Sequence, residues 1–166
     1  RPSMMQALRQ AQLVVSIGAE LEQGWLPPAI ESSSNPKILP NSMGYFEAAA
    51  QAPLIDAQAN ANRSQGDVHP LGNPHVQLDP VKMADIGLAL AERLSKLDAA
   101  NATKYRQNAQ QFKAAIDAKL PQWQKLSAGS NGVMLYHKDA NYLLTRFNVP
   151  LLAYVEPLAG IPPTAS

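Results

Sequence analysis

Along this chain apolar residues recur first at helical spacing and then in short unbroken runs, and that alternation predicts a layered α/β fold. Ser3 to Ala11 reads as a short helix, opened by Pro2 and Ser3, with Met4, Met5 and Leu8 spaced for one buried face. Leu13 to Ile17, rich in β-branched residues and closed by Gly18, reads as a buried strand. From Ala19 to Ile30 a helical pattern surrounds Trp25 and Leu26 but is interrupted by Pro27 and Pro28, and the polar cluster Ser32 to Pro36 marks a loop. Lys37 to Gly66 carries only the short apolar pieces Ile38-Leu39 and Leu54-Ile55, which predict short strands and loops.

Asp79-Pro80 is a strong helix start: the carboxylate can accept from free amide groups, and proline fits the first turn without losing a needed donor. Met83, Ile86, Leu90, Leu94 and Leu97 follow on one face, with Lys82, Asp85, Glu92 and Arg93 on the wet side. A second helix begins near Asp98 with Tyr105, Ala109, Phe112, Ile116 and Leu120 in a stripe, continuing past Pro121 to Trp123 and Leu126. A continuous helix of about 28 residues spans about 40 Å, long enough to serve as a rigid beam between two lobes. After the breakers Gly129 and Gly132 a strand (Val133 to Tyr136), a helix (Lys138 to Phe147) and a strand (Pro150 to Val155) restate a βαβ pattern. Three regions result: 1–98, 99–127 and 128–166.

Charge and composition narrow the chemistry. Fourteen Lys plus Arg stand against thirteen Asp plus Glu, which gives no electrostatic case for nucleic acid or an anionic membrane surface. Cysteine is absent, so disulfides, thiolate zinc sites and thiol catalysis are excluded, and any metal site must use histidine and carboxylate. No run approaches the roughly 18 apolar residues of a membrane-spanning helix, and no signal peptide is visible. The chain opens at Arg1-Pro2 and ends in the Pro-rich run at Ser166, so both ends read as cut from something longer.

Two of the three histidines, His69 and His75, fall in the turn-rich run GDVHPLGNPHVQLDP at 66–80, stiffened by Pro70 and Pro74. The third, His137, sits at the carboxyl end of a predicted strand, where open α/β sheets bind ligands. Imidazoles at such element edges could converge across a cleft on a metal ion. The plainer alternatives are a loop histidine bonding its own turn for His69 and His75, and a strand-end histidine bonding a carbonyl for His137. Enzyme motifs are missing: there is no HExxH, no GxSxG and no glycine-rich phosphate cradle. Glu156 and Asp139 could serve as acid or base, but a carboxylate at an element end is usually a cap or a surface charge.

GDVHPLGNPHVQLDP at 66–80, NATKYRQNAQQF at 101–112 and VMLYHKDANYLLTRFNVPLLAYVEPLAGIPPTAS at 133–166 together resemble the periplasmic metal-binding proteins of zinc and manganese ABC importers. VVSIGAELEQGWLPP at 14–28 is similar to the segment after that family's first metal-binding loop. The resemblance implies two α/β lobes joined by one long rigid helix, with the metal in the interlobe cleft. Region 1–98 then corresponds to the latter part of the first lobe, 99–127 to the linking helix and 128–166 to the opening of the second lobe. Of four family ligand positions, the second carries over to His75 and the third to His137. The first is expected before Arg1 and the late carboxylate beyond Ser166. Histidine rather than glutamate at the third position implies a zinc carrier, with manganese or iron as the alternative.

The same resemblance implies a non-enzymatic protein, periplasmic or anchored at the cell surface and monomeric, that delivers Zn2+ to an ABC permease in the inner membrane, with a periplasmic metallochaperone as a further partner. Neutral imidazole ligands predict affinity that falls below about pH 6.5. Asp67 and Asp139 are the expected partners of the second ring nitrogens. The chain departs from the family in carrying Gln77 where many members have Trp, and in lacking a His-rich acidic loop between Gly18 and His69. Two readings from other classes stand beside this one: a zinc hydrolase, which needs an open coordination position, and an adhesin or interaction module on the same fold.

Overall fold

A computed structural model describes residues 1–57, 71–158 and 160–165. Within them lie α1 (Pro2–Gln10), β1 (Val14–Ser16), α2 (Leu26–Ser33), β2 (Tyr45–Glu47), α3 (Pro80–Leu97), α4 (Ala102–Ser127), β3 (Val133–Leu135), α5 (Asn141–Arg146) and β4 (Leu151–Tyr154). The strands form two parallel pairs, β1 with β2 in the register Val14 to Tyr45 and β3 with β4 in the register Val133 to Leu151. The expected mixed α/β architecture, with small parallel sheets and flanking helices, is what the chain adopts.

Local chemistry explains most element ends. Asp79 caps α3, its Oδ1 accepting from the Val81 and Lys82 amides, and Pro80 occupies the first turn. Pro27 and Pro28 open α2 instead of interrupting a longer helix; residues 19–24 form turns, and Trp25 stands exposed ahead of the first turn. This is the place proline favours, because amides of the first turn have no intrahelical acceptor to lose. α5 is shorter than the pattern suggested, since 138–140 are turn residues. The short strand expected within 37–66 is β2, not Ile38-Leu39 or Leu54-Ile55: Ile38 ends a 3₁₀ turn and Leu54-Ile55 is irregular. Gly44, just before β2, is required sterically: a Cβ there would lie 2.0 Å from the Lys37 carbonyl oxygen.

Two clusters bury the apolar residues. Leu26, Ile30 and Ile38 pack under α1 and β1. Phe46, Ala48, Ala49, Val76, Ile86 and Ala19 form the larger core, and the side chain that completes it is Tyr142 of α5. The expected burial of β1 holds at Ser16 but not at Val15, which is exposed, and Met4 of α1 is likewise exposed. On α3 the deepest positions are Ala84, Ile86, Ala91 and Ser95. α4 comes close at Gly87, where Phe112 lies 3.4 Å from the place a Cβ would take.

α4 is continuous over 26 residues with Pro121 inside it, about 39 Å end to end. Its corner with α3 is tied by Asp98, which accepts from Tyr105 Oη at 2.6 Å and Asn101 Nδ2 at 2.8 Å. No helix among the described residues is long and apolar enough to cross a membrane.

Candidate metal centre

His75 precedes the 3₁₀ turn Val76–Leu78, between Pro74 and Val76, both fully buried. Its backbone is fixed as well: the His75 amide donates to Asn73 Oδ1 at 3.0 Å. Buried neighbours on either side leave the half-buried imidazole little freedom to relocate. His137 follows β3 by two residues and is also half-buried.

The fold brings these two histidines together from 62 positions apart in the chain, with ring centroids 5.6 Å apart and planes at 84°. An ion bound tetrahedrally by two imidazole nitrogens at about 2.0–2.1 Å would hold the ring centroids about 5 to 5.5 Å apart. The observed separation is that of a pair able to share one ion with little movement.

His137 has an anchored second nitrogen. Its Nδ1 lies 2.7 Å from Glu156 Oε2, an oxygen that also accepts from the Gly160 amide at 3.2 Å. The Glu156 side chain is only 9% exposed. The His137 hydrogen bond, aided by the Gly160 amide and opposed by partial burial, holds the Glu156 carboxyl below its usual range. A carboxylate acceptor puts the proton on Nδ1 and leaves Nε2 as the nitrogen that can coordinate. Sequence reasoning weighed Glu156 only as an acid or base and offered Asp139 for the second-nitrogen role. Asp139 is exposed, and Glu156, 19 residues away on the neighbouring strand's exit, takes that place. Asp67 and His69 lie outside the described residues.

Four further side chains fasten the segment around His75 to the segment around His137. Asn73 Nδ2 donates to the Lys138 carbonyl at 2.8 Å. Tyr142 Oη donates to the Asn73 carbonyl at 2.5 Å and accepts from the Ile55 amide at 3.1 Å. Asn141 Nδ2 donates to Asp56 Oδ2 at 3.0 Å. Arg146 reaches both oxygens of buried Asp79 with two parallel bonds of 3.0 Å, which raises the guanidinium pKa further, against partial burial. Asp79 therefore both caps α3 and receives α5.

Among the described residues no three His, Asp or Glu side chains are grouped so as to hold a metal ion. Two imidazoles meet here, half the donors of a tetrahedral site. Two open hollows of about 500 and 600 Å³ flank the junction, and neither is lined by His75 or His137.

The profile of zinc-uptake complex component A, periplasmic (ZnuA), matches residues 1–166. No curated protein sequence matches the chain. Among solved structures, it is similar to the SBP FpvC from Pseudomonas aeruginosa in complex with Mn2+, at 27% identity and a TM-score of 0.77, covering 99% of this chain and 56% of that one. It is also similar to a crystal structure of ZnuA, at 21% identity and a TM-score of 0.74, covering 99% and 60%. A Zn(II)-bound variant of AdcAII from Streptococcus pneumoniae shares the fold at 23% identity and a TM-score of 0.73, covering 99% and 58%. The chain thus spans between 55% and 60% of the length of the first four structures it matches.

Proposed function

The chain belongs to the ZnuA family of periplasmic zinc-uptake components, and on that premise we propose that its cleft captures Zn2+ for delivery to an ABC permease in the membrane. His75 and His137 are two of the ligands, His137 through Nε2, and the other donors come from residues beyond those described. Region 1–98 is the latter part of the first lobe, 99–127 the linking helix and 128–166 the opening of the second lobe. The protein acts as a carrier without turnover, outside the inner membrane and as a monomer, and a periplasmic metallochaperone is a further partner.

The observation that carries this reading is the 5.6 Å approach of the two rings, with a carboxylate already seated on His137 Nδ1. Imidazole donors suit zinc, whereas manganese favours oxygen. A manganese or nickel carrier is the second reading, favoured by the likeness to FpvC, solved with Mn2+ and with Ni2+. The test is a competition titration against a chromophoric chelator on the full-length protein and on His75→Ala and His137→Ala. One tightly bound zinc, weakened by orders of magnitude in each variant, is the expected result. Zinc binding indifferent to both substitutions overturns the site, and Mn2+ binding tighter than Zn2+ overturns the metal.

A further inference from the structure

Asn73 touches both halves of the cleft with a single amide group. Its Oδ1 accepts from the His75 N–H at 3.0 Å, and its Nδ2 donates to the Lys138 carbonyl at 2.8 Å, one residue beyond His137. The partners fix which end is which, since a flipped amide would set oxygen against the Lys138 oxygen and nitrogen against the His75 N–H. Asn73 is itself held on every side. Its backbone amide donates to the Ile55 carbonyl at 2.7 Å, its carbonyl accepts from Tyr142, and Nδ2 also points at Asp56 Oδ2, 3.4 Å away. The residue is 6% exposed, so water does not compete for these bonds.

We propose that Asn73 is a positioning residue that sets the His75 to His137 spacing before metal arrives, an inference that rests on the metal-site reading above. The backbone of each histidine segment hangs from one end of a rigid planar group, so the distance between the segments is set by the length of an amide. The Asp79–Arg146 pair and Tyr142 hold the two halves together at large. Asn73 bonds to the His75 backbone itself and to the residue next to His137. A site held open at the right spacing does not spend binding energy on gathering its ligands.

The amide can be divided by substitution. Asn73→Asp and Asn73→Ser each keep an oxygen able to accept from the His75 N–H, so the local turn survives, but the carboxylate has no donor for Lys138 and the single, shorter hydroxyl cannot span both partners. Zinc affinity of the full-length protein is measured by chelator competition, well below the thermal midpoint of each metal-free variant, alongside His75→Ala and His137→Ala. Visible absorption of the Co(II)-loaded proteins reports coordination geometry. The expected result is a loss of about 10- to 100-fold in zinc affinity with an altered Co(II) band in whichever Asn73 variants fold. Wild-type affinity and an unchanged Co(II) band in a folded Asn73 variant, whatever its thermal midpoint, overturn the proposal while leaving the metal site standing. Indifference of zinc binding to both histidine substitutions overturns the metal reading and this inference with it, and the two failures are told apart by which variants stay tight.

Discussion

The first α/β unit has a sealed apolar interior of its own, whereas the strand pair of the second leaves much of its apolar surface open. Ile30, Ile38 and Phe46 are sealed within the first, whereas Met134 is 60% and Leu152 is 66% exposed on the β3–β4 pair of the second. The second unit is nevertheless well anchored, and its anchor is α5, whose Tyr142 completes the core of the first unit. One unit is thus held by its own interior and the other by its seam with the first. Because the two histidines sit on opposite sides of that seam, whatever holds the second unit in place also holds their separation.

The contrast can be broken most forcefully in the first unit. Ile38→Ala should cost about 3 kcal/mol in urea unfolding through transfer and cavity terms, against about 0.5 kcal/mol or less for Leu152→Ala on exposed β4. Equal costs would remove the distinction. At the seam, Arg146→Ala leaves the buried Asp79 carboxylate without its partner and should cost about 2 kcal/mol, less than a fully buried pair would because Arg146 is partly solvated. Arg146→Lys should recover only part of this, since a point charge cannot reproduce two parallel bonds.

Tyr142→Phe keeps the ring in the core but strands the Asn73 carbonyl and the Ile55 amide, for an expected loss of about 1–2 kcal/mol. A smaller loss would mean that solvent reaches the seam. The smallest effect lies on the outer face. The Asp98 carboxyl is held below its usual range chiefly by the Tyr105 hydroxyl, then by Asn101. A depressed native pKa stabilises above the unfolded value near pH 4 and is lost as pH falls through the native value. Asp98→Asn should therefore flatten a shallow acid limb of the stability profile and leave neutral-pH zinc affinity untouched.

Legibility from sequence followed the range of the interaction. α3 and α4 were readable from their apolar spacing because a helix is encoded within a few neighbouring residues, and Asp79-Pro80 announced the start of α3. Pro27 and Pro28 misled because the same residue both breaks a helix interior and opens a first turn, and only the backbone around Trp25 decides between them. His75 and His137 drew attention as candidates by their places in a stiffened loop and at a strand end, and the resemblance is what set the ligand reading above the plainer ones. Their neighbours were harder. Glu156 reaches His137 across 19 residues and Asn73 reaches Lys138 across 65, contacts that no local period encodes. The one hint in reach was a lone carboxylate leaving a strand beside the strand that ends at His137.

Pro121 gives α4 an uneven stiffness. Its ring nitrogen carries no hydrogen, so the Asp117 carbonyl loses the amide it would meet in an unbroken helix, and the turn between them is the most pliant point of the rod. Ahead of that point α4 leans on α3 at Arg106, which pairs with Glu92, and at Phe112, beside Gly87, while the stretch beyond it runs on to Trp123 and Leu126 beside the larger hollow. Flexing of the rod is therefore expected chiefly in its far end, like a fishing pole gripped along its butt. Amide deuterium uptake along α4 should rise abruptly after residue 117, a step that a uniformly stiff helix would not show.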